Sequence, residues 1–479
     1  MPGGRGAKLW QGAPVFDTRA LVCVVLIAAC GDNSAPADPP SPSDLLGKLR
    51  AIPGVTAVRA NTDAEGYEYF VLHFTQPVDH ENPTGQTFQQ EVSLLHRDPD
   101  APMVVLTSGY FDYYLDRKYE LTTILSANQI SIEHRFFGES RPEPADWTKL
   151  TIEQMANDEH AIIAALREIY PGSFVTTGGS KGGMTATYHR RFFPDDVDAT
   201  VPYVAPMSIG APDARYNAFF DTVGPADCRA AVRTAATEML QNRRAAMESR
   251  AAAQAEHVYT RIALGPSVEG SIASLEWAFW QYYGVNFCDA VPAADASDAE
   301  LFDFLDTIAP IGDNDDVQVA LFEAYYFQAY AQLGYPDDNA TYLAPYTMYS
   351  DHDYDGGLPT GTPPVYDGGV AMADVAQYIQ TEGDRLLFIY GEWDPWTGGE
   401  YELGQATDSL KLIQPEGTHG SRINRLAKAD RDEAYAKLAA WTGVPVVPPA
   451  SGKQAIDNQP RDPRVPPGMT RVRRSRHQR

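Results

Sequence analysis

Positive charge is scarce in this 479-residue chain: 38 Lys and Arg stand against 64 Asp and Glu, a net charge of -26. Such a surface repels phosphate backbones, which excludes nucleic acid as a partner. It fits a soluble protein outside the cytoplasm and would draw cationic groups such as peptide amino termini, with plain solubility as the bland alternative. Cysteine is scarcer still, with four in all. Cys23 and Cys30 fall in the leader, which leaves Cys228 and Cys288. An even pair in an exported chain is expected to form a disulfide. None of the four has metal-type spacing or a His neighbour, so no zinc site is expected and no cofactor is implied. Long apolar runs are missing too. The run Ala20 to Ala29 is too short to anchor stably across a bilayer.

What that run does resemble is an export signal. Arg5, Lys8 and Arg19 precede it, and it ends Leu26-Ile27-Ala28-Ala29-Cys30-Gly31, like a bacterial lipoprotein box. Residues 1–30 are therefore expected to be a lipoprotein signal peptide, with Cys30 acylated and holding the mature protein to a membrane. Ordinary signal-peptidase cleavage nearby is the alternative. Gly31 is not the Asp that favours inner-membrane retention, so the outer membrane or cell surface is the expected location. Residues 31–53 are expected to be a disordered tether, because Asp32 to Asp44 is rich in Pro, Ser, Ala and Asp. At the other end, residues 446–479 turn Pro-rich and then basic, and are expected to be a disordered tail.

Between these lies a regular alternation. Tyr67 to Phe74 and Glu91 to His96 pattern as a hairpin across the turn-rich Asp79 to Gly85. Pro102 to Thr107 and Arg385 to Gly391 pattern as buried strands, and Gln129 to Glu133, Ser173 to Thr177, Asp198 to Ala205 and Ser409 to Gln414 as further strands. Helical patterns fall between them at Asp116 to Ala127, Thr151 to Tyr170, Met184 to Phe193 and Asp430 to Thr442. Such alternation predicts a mostly parallel sheet with an antiparallel hairpin at its edge. Residues 54–206 and 375–445 are the expected catalytic domain. Residues 207–374 read as an inserted, mainly helical cap, with helices over Arg229 to Ile262, Ser271 to Tyr283, Ala299 to Ile308 and Val317 to Leu333. Within it, Ala230 to Ala255 has few aromatics and reads as an exposed arm. The dense rings from Trp277 to Tyr283 and from Tyr325 to Tyr330 read as cap core, some of them free to line a pocket for an apolar or proline side chain.

The chain is organised around Phe174-Val-Thr-Thr-Gly-Gly-Ser180-Lys-Gly-Gly-Met184. A strand, a tight turn with a central Ser, and a helix make the nucleophile elbow of an α/β-hydrolase, and Gly178 and Gly182 complete Gly-x-Ser-x-Gly. The bland reading is a glycine-rich turn with an incidental Ser. A Ser hydroxyl needs a His to take its proton and a carboxylate to orient that His, in the chain order Ser, acid, His. Asp394, in the loop after the penultimate strand, is the expected acid, with Glu392 and Asp384 as rivals. His419, in the loop after the last strand, is the expected base; of ten His only His477, in the tail, also follows Asp394. The oxyanion of the intermediate needs two N–H donors. Lys181 supplies one, and Gly109 or Tyr110 the other. The bland reading of the Lys181 side chain is solvent.

Five segments together carry a resemblance: Gly178-Gly-Ser-Lys-Gly-Gly-Met184, Glu133-His-Arg-Phe-Phe-Gly-Glu-Ser140, Gln76-Pro-Val-Asp-His80, Gly391-Glu-Trp-Asp394 and Gly417-Thr-His419. From about Gly54 to Val444 the chain resembles the bacterial secreted prolyl tri- and tetrapeptidyl aminopeptidases, serine-peptidase family thirty-seven. It is more distantly similar to the prolylcarboxypeptidase and dipeptidyl-peptidase family, which has Tyr where this chain has Lys181. The resemblance implies an α/β-hydrolase fold and hydrolysis of peptides near a free N-terminus, with Pro favoured beside the scissile bond. An exopeptidase of this kind must sense the terminal ammonium, for which buried carboxylates are suited. Glu139 is the first candidate, then Glu133, Asp112 and Glu392, with a structural Glu133–Arg135 ion pair as the bland alternative. Three other readings stay open: a prolyl carboxypeptidase or dipeptidyl peptidase, an ester hydrolase, and a non-catalytic envelope lipoprotein.

Overall fold

In the computed structural model, residues 45–112, 116–337 and 340–448 are described. The lipobox at Cys30, the chain before residue 45 and the tail from residue 449 lie outside them. Nine strands form one sheet: β1 (Val55–Ala60), β2 (Glu68–Pro77), β3 (Thr87–His96), β4 (Met103–Thr107), β5 (Asn128–Ile132), β6 (Phe174–Gly179), β7 (Ala199–Tyr203), β8 (Leu387–Gly391) and β9 (Leu410–Gln414). Their order is β1-β2-β3-β5-β4-β6-β7-β8-β9. The pairs β1–β2, β2–β3 and β3–β5 are antiparallel, and every pair from β5 to β9 is parallel.

Side chains of β4 alternate across the sheet, as the strand period requires. Met103 and Val105 enter one core, with α3 (Ile152–Arg167), α4 (Lys181–Phe192) and α12 (Val370–Glu382). Val104 and Leu106 enter the other, with α2 (Glu120–Ile124) and α13 (Lys428–Thr442). A largely parallel sheet covered on both faces, with a strand–Ser–helix turn at its centre, is the α/β-hydrolase fold. Among the described residues no helix is long and apolar enough to cross a membrane.

The segment between β7 and β8, expected to be the cap, has a core of its own, built by α5 (Asn217–Thr222), α6 (Ala226–Gln241), α7 (Arg244–Ala252), α8 (Leu264–Ala273), α9 (Leu275–Ala278) and α10 (Asp298–Ile308), whereas α11 (Asp316–Gln328) sends Ala324 and Phe327 into the second core. A Cys228–Cys288 disulfide spans 60 residues of it. Two π-helical turns, Phe279–Tyr283 and Ala329–Leu333, extend α9 and α11.

Several expectations need correction. The stretch from Leu45 to Ala51 is a helix (α1), not tether, and buries Leu45 and Leu49 in the first core at i, i+4 spacing. Outside the expected hairpin lies β1, whose single buried pair, Val55 and Ala57, leaves too weak an alternation to read. Ala230 to Ala255 is no exposed arm. It holds α6 and α7, broken at Asn242-Arg243, and Val232, Ala235, Ala236, Met239, Leu240, Met247 and Ala251 are buried. Alanines let these helices pack closely while contributing little apolar signal. Of Asp116 to Ala127 only Glu120–Ile124 is helical, since Gln129 Oε1 accepts from the Tyr119 N–H and the Thr122 hydroxyl. Helix α12 starts at Val370, before the expected boundary at 375, and sends Met372 into the sheet core. The tail begins later than residue 446: Val446 packs on the second core, and the Val447 N–H donates to Ile124 O at 2.7 Å.

Candidate active site

The turn between β6 and α4 holds Ser180 at φ 57° and ψ -127°. A non-glycine residue there stores of order 1–3 kcal/mol of strain, kept only where the surroundings over-determine it. They do so here. The Ser180 N–H donates to Tyr203 O at 2.9 Å. A Cβ on Gly178 would lie 2.4 Å from the Gly182 carbonyl, and one on Gly182 would lie 2.3 Å from Thr107 O. The two glycines of the motif are thus required by the crossing of β6, α4 and the end of β4. The Thr107 hydroxyl ties the crossing together through Gly182 O at 2.6 Å.

The loop after β4 meets the start of α4. Lys181 N–H is the first helical donor, with no carbonyl one turn earlier to accept it. In the loop, the Tyr110 N–H donates to Ser108 Oγ at 3.3 Å, while no protein acceptor takes the Gly109 N–H among the described residues. The Lys181 side chain does not reach solvent. It is 1% exposed, its Nζ donates to Gly109 O at 2.6 Å, and it lies 5.4 Å from the Tyr110 and Phe137 ring centres. Burial pushes this amine well below its usual range, partly opposed by the field of Glu159.

Asp394 follows β8 and is wholly buried. Its Oδ2 lies 2.7 Å from His419 Nδ1, and its Oδ1 accepts the Trp396 N–H at 3.3 Å. The carboxylate can only accept, so it fixes the proton on Nδ1 and leaves Nε2 as the basic nitrogen. The rivals are engaged elsewhere: Glu392 accepts the Glu416 N–H, and Asp384 binds Thr407 and Arg385. No hydrogen bond joins Ser180 to His419 among the described residues; the contact already made is His419–Asp394.

Residues of the segment between β7 and β8 border the site: Tyr282 and Tyr325 come from the ring-dense stretches expected in part to line a pocket, whereas the sequence does not single out Gln281 and Phe322. The His419 N–H donates to Gln281 O at 2.8 Å, and the Tyr282 ring stands edge-on to His419 at 6.1 Å. On the other side Phe322 and Tyr325 of α11 pack against Tyr110 at 5.8 and 5.6 Å. The cap therefore touches both the His419 loop and the Gly109–Tyr110 loop. The aromatic density of those cap segments was the available signal.

The four carboxylates expected at the substrate ammonium separate by burial. Glu139 and Glu392 are exposed, against the expectation of buried groups, and the Glu139 carboxylate faces His73 at 3.8 Å. Glu133 and Asp112 are buried. Glu133 Oε1 accepts from the Glu139 and Ser140 N–H groups and the Ser140 hydroxyl, and Oε2 from the Asp112 N–H at 3.3 Å. Burial, with the nearby Glu91 and Asp112, raises its pKa to about 8. Arg135 does not pair with Glu133. It binds Asp158 through two nitrogens at 2.7 and 2.8 Å, and both residues are wholly buried. One group among the described residues has metal-ligand spacing. His73, Glu91 and Glu139 bring ligand atoms within 4.8 Å of one another, on β2, β3 and the loop after β5, and share no residue with the Ser180, Asp394 and His419 loops.

Known proteins share sequence with most of this chain. The family model described as PS-10 peptidase S37 matches residues 38–459. The chain is 38% identical over 439 residues to the prolyl tri/tetrapeptidyl aminopeptidase of Streptomyces mobaraensis, covering 88% of this chain and 91% of that one. It is 29% identical over 180 residues to the lysosomal Pro-X carboxypeptidase of Mus musculus, covering 33% of this chain and 37% of that one. Among solved structures, the proline iminopeptidase of Mycobacterium smegmatis aligns with a TM-score of 0.37 at 15% identity, over 76% of this chain and 96% of that one.

Proposed function

The chain belongs to the S37 peptidase family and is a serine peptidase, and from that premise we propose an exported exopeptidase that releases tri- and tetrapeptides, preferably ending in Pro, from free N-termini. The observation that carries the mechanism is the 2.7 Å pairing of His419 Nδ1 with the buried Asp394. Ser180 Oγ attacks the scissile carbonyl carbon while its proton passes to His419 Nε2. The negative oxygen that forms is met by the N–H groups of Lys181 and Gly109, two donors with no protein acceptor among the described residues; Tyr110, already bonded to Ser108, is the weaker choice. His419 then gives the proton to the leaving amine, and water, activated by the same His, hydrolyses the acyl-enzyme. Asp394 orients the imidazole throughout and stabilises the imidazolium each time it forms.

For the substrate ammonium, burial favours Asp112 over Glu139 and Glu392; Glu133 is buried too, but its raised pKa of about 8 leaves it without the charge at neutral pH. The division into catalytic domain and cap, and acylation at Cys30 with attachment to the outer membrane or cell surface, are part of the same reading. The last of these rests on the sequence around Cys30 alone.

Product analysis by mass spectrometry tests the function. The panel is peptides with Pro at successive positions from either end, with Ser180→Ala as control. The expected result is release of an intact N-terminal tri- or tetrapeptide ending in Pro, lost when the N-terminus is acetylated. Release of a C-terminal residue would move the protein to carboxypeptidase chemistry, which the partial similarity to the Pro-X carboxypeptidase makes the second reading.

A further inference from the structure

Lysine after a nucleophilic Ser needs only its backbone N–H for catalysis, yet here the whole side chain is buried and aimed back at the neighbouring loop. Its target is the carbonyl of Gly109, a residue with φ 74° and no side chain of its own to fix it. A Cβ on Gly109 would lie 2.5 Å from the Gly182 nitrogen and 2.7 Å from the Lys181 carbonyl carbon, so the loop backbone sits directly against the first turn of α4. The rest of the loop is pinned: the Tyr110 N–H by Ser108 Oγ, and Tyr110 O by the His134 N–H at 2.8 Å. For the Gly109 carbonyl the acceptor bond to Lys181 Nζ is the pin.

We propose that the Lys181 side chain is a positioning residue for the oxyanion site, holding the Gly109 carbonyl so that the Gly109 N–H stays aligned with the Lys181 N–H. One residue then serves the site twice, as a donor through its backbone and as a brace through its side chain. The brace does not depend on charge, since an ammonium and a neutral amine both donate hydrogen bonds. Nor is the amine isolated. Glu159 of α3 is wholly buried with neither carboxylate oxygen hydrogen-bonded, and it is the acid whose field acts on Lys181. The Tyr110 and Phe137 rings exclude water from the Nζ–O contact, which strengthens it.

This inference rests on the serine mechanism proposed above, and the test separates the two. Lys181→Met keeps an unbranched apolar stem, one atom shorter, and removes the donor. It is compared with wild type on a free-N-terminus Pro substrate and with two competitive ligands. One is a peptide aldehyde, which forms a tetrahedral oxyanion on Ser180; the other is the product peptide acid, which does not. Loss of a whole oxyanion donor costs about 10²–10³-fold in kcat, so loss of its brace is expected to cost roughly 10- to 100-fold. KM and product affinity should stay within about 3-fold, and aldehyde affinity should fall in step with kcat/KM. Unchanged kcat, or equal losses for aldehyde and product, would overturn the proposal, the latter marking Lys181 as merely structural. Should Lys181→Met not fold, Lys181→Gln retains a shorter donor, and the same aldehyde-to-product comparison decides. Turnover surviving in Ser180→Ala would instead overturn the serine mechanism itself.

Discussion

The backbone N–H of His419 donates to the carbonyl oxygen of Gln281 at 2.8 Å, so the cap holds the candidate base by its main chain. Gln281 lies in the π-helical turn Phe279–Tyr283, and its side-chain oxygen accepts the Trp277 indole N–H at 2.9 Å. Trp277 in turn packs against Tyr216, Phe220 and Trp396. Trp277→Ala removes the donor and the packing that set this turn. Because Trp277 is only partly buried, a loss of about 2 kcal/mol in stability is expected, below the 3–5 kcal/mol of a wholly buried Trp. The drop in kcat should be roughly tenfold, larger than any change in the thermal midpoint would explain at assay temperature. Steady-state kinetics beside calorimetry checks this; full kcat with lowered stability would mean that the cap does not hold His419.

Asp394→Asn should leave the fold intact and lower kcat by about 10⁴-fold, because an amide presents the wrong hydrogen-bonding pattern to His419 Nδ1. Asp384→Asn, at the start of the same strand region, should change kcat only a few-fold, since Asp384 serves Thr407 and Arg385. A reversed ranking would move the acid to Asp384.

Legibility followed how locally each feature is determined. Ser180 could be read because Gly178 and Gly182 are demanded by a close crossing, which leaves its mark in adjacent residues. Asp394 and His419 could be read because each lies in the loop after a late strand, β8 buried and β9 partly exposed, in a fixed chain order. Lys181 could not, since a lysine ordinarily marks solvent and its burial comes from Tyr110 and Phe137, far off in sequence. That Glu139 is exposed and Glu133 buried is hidden from the sequence for a related reason. The two lie six residues apart in one motif, and only the tertiary fold decides which enters the interior. The burial of α6 and α7 is hard to read in sequence because alanine packs well while adding little apolar signal.

The Arg135–Asp158 pair is wholly buried, with His80 also on Asp158 at 2.7 Å and three backbone carbonyls on the guanidinium. Removing one partner strands a charge in the interior, which typically costs 3–5 kcal/mol. Asp158→Asn and Arg135→Met are each expected to destabilise by about that much in urea unfolding at neutral pH. The double variant should cost much less than the sum, because neither charge is left alone. Additive losses would show that the two residues act independently.

Glu133 links stability to pH with a definite sign. Its pKa in the folded protein is raised to about 8, chiefly by burial and then by Glu91 and Asp112, against the usual 4.5. Between those values the native state holds a proton that the unfolded chain has lost, so the stability contributed by this group is full below about pH 4.5 and declines until about pH 8. Glu120 and Glu159 are raised as well and slope the same way, so the absolute curve does not isolate Glu133. The difference between wild type and Glu133→Gln does. The amide cannot ionise, and although it meets the Asp112 N–H less well, that penalty is the same at every pH. Glu133→Gln should therefore start less stable than wild type near pH 5 and gain on it steadily towards pH 8, by on the order of 3 kcal/mol. Urea unfolding at half-unit pH steps reads this directly. Parallel curves for the two proteins would mean that Glu133 is ionised throughout, and with it that a buried anion, not a neutral acid, lies behind the Asp112 loop.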